Sequence, residues 1–141
     1  SRSLHDALPI FENTLYLLQS SGRDLKDVLE LSLTLTEGSF LYPAGLKYKV
    51  DMNRPEGLRI TGLEIVKPKG VLKPVKDDET YRVMVNSFIA SGVGGFELLK
   101  KADIKKYDTG FLDAEVFQDY ACKHSPLVAL APLVDYIPGG K

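Results

Sequence analysis

The sequence predicts a single α+β domain, and three observations carry that prediction. Leu46, Tyr48 and Val50 alternate with Lys47 and Lys49, the period of a strand with one buried and one wet face. Two stretches, Asp24 to about Leu35 and another opening at Asp113, instead place apolar residues at helical spacing. Strands outnumber helices without strict βαβ alternation, so the expected architecture is a mixed β-sheet with helices packed on it. A length of 141 residues suits one domain, 1–141, and allows a real core.

Leu4 to Leu8 reads as a helical turn stopped by Pro9, and Glu12 to Gln19 as a largely buried strand that Gly22 breaks. Asp24 is placed to cap the first helix, where Leu25, Val28, Leu29 and Leu33 share a face. Leu31 and Leu35 widen that face, which predicts packing against more than one neighbour. After the Leu46 strand, Asn53-Arg54-Pro55-Glu56-Gly57 is turn chemistry. In the next strand Leu58 and Ile60 lose phase with Leu63 and Ile65, and a bulge at Thr61-Gly62 would account for the slip. Lys67–Lys76 reads as an exposed excursion leading into a strand over Tyr81 to Val85. Asp108-Thr109-Gly110 reads as a turn, and Asp113 as the cap of a helix with Val116, Phe117, Tyr120 and Ala121 on one face. The tail from Pro126 is expected to be extended and docked, given Pro126, Pro132 and Pro138.

Composition excludes several classes. Apolar residues at 44% and charged residues at 26% are those of a globular protein rather than a disordered chain. A net charge of -1 provides no electrostatic basis for binding a nucleic acid polymer or an anionic membrane. The lysines at Lys67–Lys76 and Lys100–Lys106 read as solvated faces. No apolar run approaches the roughly 20 residues that span a bilayer, so no membrane insertion by this domain is expected. The chain opens on Ser1 rather than Met, as expected of an excised or processed piece of something longer. Cys122 is alone and has no intramolecular disulfide partner.

A catalytic constellation is not evident. His5 and His124 lie far apart and outside metal-ligand spacings, no GxSxG supports a nucleophile, and no carboxylate pair stands out. No catalytic or metal-ligating residue is therefore assigned in this chain. The suggestive stretch is Asn86-Ser87-Phe88-Ile89-Ala90-Ser91-Gly92-Val93-Gly94-Gly95-Phe96, a glycine-dense loop between a strand and a short helix beginning at Phe96. Glycines there let backbone N–H groups approach a ligand, although a plain tight turn has the same composition. Phe88 falls out of phase with Val83 and Val85 unless the backbone kinks, and Phe40 sits beside Gly38-Ser39. Each ring is either a core residue or a stacking surface for a planar ligand.

These residues resemble a known family. Asn86 to Phe96 is similar to the NxFLAxGGDGF/Y motif of the 5'-nucleotidase C-terminal domain. Leu8-Pro9-Ile10-Phe11-Glu12-Asn13-Thr14-Leu15 resembles its LPF-x-NTL opening, and Gly38-Ser39-Phe40-Leu41 with Ala44-Gly45-Leu46-Lys47-Tyr48 its G-x-FLQ-x-SGLRY strand. Asn53-Arg54-Pro55-Glu56-Gly57 matches its SRPPG turn and Asp78-Glu79-Thr80-Tyr81-Arg82-Val83 its DKTYRV. The matches are collinear over almost the whole chain.

The resemblance implies a substrate-binding domain of a two-domain phosphoesterase acting on nucleotides, cyclic nucleotides or UDP-sugars. It implies a nucleotide or nucleoside substrate whose base is held between two rings, here Phe40 and Phe88, with Asn86, Ser87, Gly92 and Gly94 around it. It also implies a partner, an N-terminal metallophosphatase domain with two divalent metal ions, no cofactor in this domain itself, and an extracytoplasmic location. This fragment would then lack the hydrolytic site. Two departures bear on that reading. Gly94 stands where the motif has an aspartate that binds sugar hydroxyls, and Val93 stands where it has a glycine. They leave two rivals open: a non-catalytic module whose pocket has degenerated into a surface for interdomain or partner contacts, and a parent enzyme for cyclic nucleotides.

Overall fold

A computed structural model describes residues 13–35, 41, 43–124 and 133–140. The turn expected at Leu4–Leu8 and the ring of Phe40 lie outside these residues. Strand β1 (Thr14–Ser21) runs straight into helix α1 (Gly22–Ser32). The hinge is sterically defined. A Cβ on Gly22 would fall on the carbonyl of Lys76, while the Gly22 N–H donates to Glu79 O at 2.9 Å. The cap is Ser21 rather than Asp24: Ser21 is still extended, and its Oγ accepts from the Asp24 N–H at 3.1 Å. Asp24 instead lies in the first helical turn and accepts from Lys101 Nζ at 2.6 Å. The helix also ends before Leu35, because Ser32 and Thr34 hydroxyls donate to Leu29 O and Leu31 O, occupying last-turn carbonyls.

The class is α+β, with two sheets where one was expected. The first is antiparallel in the order β5-β1-β6, with β5 at Thr80–Asn86 and β6 at Lys105–Leu112. The second has the order β4-β3-β2-β7, formed by β2 (Leu46–Asp51), β3 (Ile60–Val66), β4 (Leu72–Pro74) and β7 (Val134–Ile137). It is mixed, since β7 runs parallel to β2 while the other pairs are antiparallel. Helix α1 serves both sheets. Val28 joins Leu18, Ala90, Phe96, Leu99 and Ile104 in one core, and Leu25 and Leu29 join Leu46, Tyr48, Val50 and Ile60 in the other. The broad apolar face of α1 is thus matched to two neighbours, as its spacing predicts. Burial pushes the Tyr48 phenol up to about 12.

Two irregularities shape the strands. Between the pairs Lys47↔Glu64 and Lys49↔Thr61, β3 carries one extra residue, and Gly62 there takes φ +63°, so the expected bulge is present. Asp108-Thr109-Gly110, expected as a turn, lies inside β6 as a second bulge. Thr109 Oγ1 donates to Leu15 O at 2.7 Å, Gly110 N donates to Asp108 Oδ1, and Gly110 has φ +73°. A positive-φ glycine after an Asp serves a turn and a bulge alike, and only pairing with β1 separates them. The lysine-rich excursion is exposed and folds into a 3₁₀ turn (Pro68–Gly70) and the short edge strand β4. Helix α3 (Asp113–Lys123) is preceded by Leu112 at the cap position, and Asp113 is its first helical residue, donating its N–H to Asn13 O.

Candidate functional site

The end of β5 is where the chain departs from regular structure. Asn86 Oδ1 accepts from the Ile89 N–H at 2.9 Å, capping α2, a helical turn over Ser87–Ala90. The strand therefore stops at Asn86, and the phase slip seen in the sequence is a real change of backbone. Rotation into the helix buries Ala90 and turns Ile89 toward the core, while the Phe88 ring swings outward and is 52% exposed. Ser91 Oγ donates to Phe88 O at 2.6 Å and ties down the turn.

The loop that follows needs its glycines. Gly92, Gly94 and Gly95 have φ of +75°, +66° and +97°, in the left-handed region that side chains disfavour. A Cβ on Gly95 would collide with the Leu35 side chain, and one on Gly94 would meet Phe88 Cζ at 3.1 Å and Cε1 at 3.3 Å. The edge of the Phe88 ring thus lies against Gly94. Phe96 closes the loop as a 2% exposed plug in the first core, leading into a 3₁₀ turn over Glu97–Lys100. Two aromatic shoulders therefore have opposite roles, Phe96 as anchor and Phe88 as exposed face.

Of the residues singled out in the sequence, the structure brings Asn86, Ser87, Phe88, Gly92 and Gly94 into one turn-and-loop unit, and Phe40 is outside the described residues. The polar pair has internal work. Ser87 Oγ donates to Asn13 Oδ1 at 3.1 Å and accepts from the Thr14 N–H at 3.3 Å, and the oxygen of Asn86 is the α2 cap. Sequence reasoning passed over Lys100, which it grouped with solvated lysines. A Cβ on Gly92 would meet Lys100 Cγ at 2.8 Å and Cε at 3.0 Å, so the Lys100 stem lies across that glycine. Just beyond it, Lys101 bonds the buried Asp24 carboxylate, fastening the loop's exit to α1. That hydrogen bond holds the Asp24 carboxyl below the ordinary aspartate value.

Among the described residues, no three His, Cys, Asp or Glu side chains cluster as a metal site would require. His124 ends α3 with Nδ1 2.9 Å from Tyr120 O and its ring stacked on Tyr120 at 4.0 Å between centroids. A shallow groove of about 650 Å³ lies beside the β3 bulge, lined by Lys47, Lys49, Thr61, Glu64 and Asp135, and is separate from the glycine loop. No helix among the described residues is long and apolar enough to cross a membrane.

Comparison with known proteins adds to this geometry. The family profile of the 5'-nucleotidase C-terminal domain matches residues 2–101. A trifunctional nucleotide phosphoesterase of Bacillus subtilis is 33% identical over 112 residues, covering 77% of this chain and 8% of that protein. The crystal structure of a 5'-nucleotidase precursor from Thermus thermophilus superposes with a TM-score of 0.82 at 36% identity, over 91% of this chain and 26% of that one. An NAD nucleotidase from Haemophilus influenzae superposes with a TM-score of 0.80 at 27% identity, over 89% of this chain and 24% of that one. The chain thus spans between about a twelfth and a quarter of the length of these relatives.

Proposed function

The chain belongs to the 5'-nucleotidase C-terminal domain family, and on that premise we propose that it is the nucleotide-binding half of a two-domain, metal-dependent phosphoesterase. In this reading, residues 1–141 would present a nucleobase to a metallophosphatase domain of the same protein, where two divalent ions would supply the chemistry of the hydrolytic step. The base stacks on Phe88, with Phe40 as the second ring. The observation that carries the proposal is the Phe88 ring, turned half out of the protein by the Asn86-capped turn and lying edge-on against Gly94 of the glycine loop. An exposed aromatic face on a rigid loop binds planar rings at about 1–3 kcal/mol per base. The parent enzyme would act outside the cytoplasm, a placement supported by the likeness to a snake venom 5'-nucleotidase.

A second reading has its own observation. Asn86 Oδ1 and Ser87 Oγ, the polar groups next to the ring, already have partners inside the protein. A degenerate pocket used only for interdomain or partner contacts would look the same. An NMR titration with AMP, adenosine, UDP-glucose and 2',3'-cyclic AMP at millimolar concentration separates the two. Shifts centred on Phe88 and Gly92 to Phe96, abolished in Phe88→Ala, are expected for the stacking pocket. A silent loop with all four ligands would overturn it in favour of the contact module, and the order of affinities would identify the substrate class.

A further inference from the structure

We propose that Lys100 makes the Phe88 site selective for phosphate-bearing ligands, favouring a nucleoside phosphate over the uncharged nucleoside. The inference rests on reading Phe88 as the base platform and adds a charge to it. From Ser87 to Phe96 the loop contains no ionisable side chain, so the loop itself offers a ligand only backbone groups, hydroxyls and rings. The charge that lies on the loop is Lys100. Its Cγ and Cε sit 2.8 and 3.0 Å from where a Gly92 Cβ would be, so the ammonium begins one bond beyond a stem pressed on the loop backbone. Two residues along the same loop, Gly94 carries the Phe88 ring edge.

The two neighbouring charges do not explain Lys100. Lys101 is engaged by Asp24 and lies 3.9 Å from Asp103, whereas Lys100 forms no ion pair among the described residues. Glu97, one 3₁₀ turn earlier, is not within ion-pair distance of it among those residues. A cation whose stem already packs over a glycine loses less freedom on binding than a free surface lysine would. An exposed aromatic face on the loop and an unengaged ammonium whose stem lies against it together match a planar ring joined to an anion. Lysine meets phosphate as a point charge, so the contact requires no fixed geometry.

The alternative role is packing alone, with the stem shielding Gly92. Lys100→Met keeps the stem and removes the charge, and Lys100→Arg keeps both. We would titrate the 141-residue chain and both variants with AMP and with adenosine, reading the Phe88 and Gly94 resonances at low salt and at about 1 M salt, where screening acts within ~3 Å. The expected result is AMP bound about fivefold tighter than adenosine at low salt, a preference lost in Lys100→Met, kept in Lys100→Arg and erased by salt. Adenosine affinity should stay within about twofold across the set. Equal binding of both ligands to the wild type, or an AMP preference that survives Lys100→Met, would refute the role of Lys100 and leave the platform standing. If neither ligand moves Phe88, the platform itself is refuted and the selectivity falls with it.

Discussion

Helices α1 and α3 are both eleven residues long, and both carry apolar side chains at helical spacing. Helix α1 begins on a serine cap, buries Leu25, Val28 and Leu29, and feeds two cores. Helix α3 has no side-chain hydrogen bond at its cap and no buried residue, and Phe117 on its apolar face is 66% exposed. Phe111 on the adjoining strand is exposed to the same degree. Periodicity therefore tells where a helix forms and which face is apolar, while the cover over that face depends on distant segments. The difference also divides the molecule by role. α1 and the turn that follows it form the post against which the glycine loop is braced, through Asp24 on Lys101 and Leu35 on Gly95, and α3 stands apart from it.

That contrast can be broken by substitution. Leu29→Ala in α1 should cost about 2–5 kcal/mol, read as a fall in the urea midpoint, because Leu29 is 3% exposed and its removal leaves a cavity. A cost below 1 kcal/mol would mean that the second core is loosely packed.

Asp24→Asn should cost about 1–3 kcal/mol, since it weakens a charge-assisted bond to a carboxylate buried at the base of α1. This change carries a pH signature. The folded pKa of Asp24 is depressed by the Lys101 hydrogen bond, so its contribution is full above the unfolded aspartate value of about 3.9 and is lost as pH falls through the lower folded value. The wild type should therefore lose more stability than Asp24→Asn in that acid window. Parallel losses in denaturation midpoints at pH 7 and on the acid side would show that Asp24 is not coupled to folding.

The smallest effect is expected on the other helix. Phe117→Ser should change stability by no more than about 0.5 kcal/mol, because the ring leaves little protein contact behind. A loss like that of Leu29→Ala would mean that α3 is covered in solution and that the two helices are alike.

Elements with a local cause were legible in the sequence. The β2 alternation, the Gly62 bulge and the phase break at Phe88 all leave a mark within a few residues. Features decided by partners far along the chain were not. Asp24 and Ser21 are both good caps, and Lys101 takes the Asp24 carboxylate. Asp108-Thr109-Gly110 becomes a bulge through its pairing with β1, and the division into two sheets follows from β6 pairing with β1 and β7 with β2. The site shows the same pattern. The exposure of Phe88 could be anticipated from strand phase, but the internal partners of Asn86 and Ser87 could not. The position of Lys100 was hidden as well, because it depends on how a positive-φ loop folds back beneath a side chain.

The pairing of β7 with β2 has a consequence for synthesis. β2 is flanked by β3 soon after it is made, but its other edge receives Val134–Ile137 only after the chain from β3 through α3 has been made, locked by Met52 N–H to Ile137 O and by Asn53 to Pro138 O and Gly140 N–H. Until those residues emerge from the ribosome, the nascent chain carries an unpaired edge beside Tyr48 and Val50, open to wrong partners. The order of manufacture thus makes the second sheet the late and vulnerable one. Chaperone capture during translation should centre on β2, before β7 closes over it.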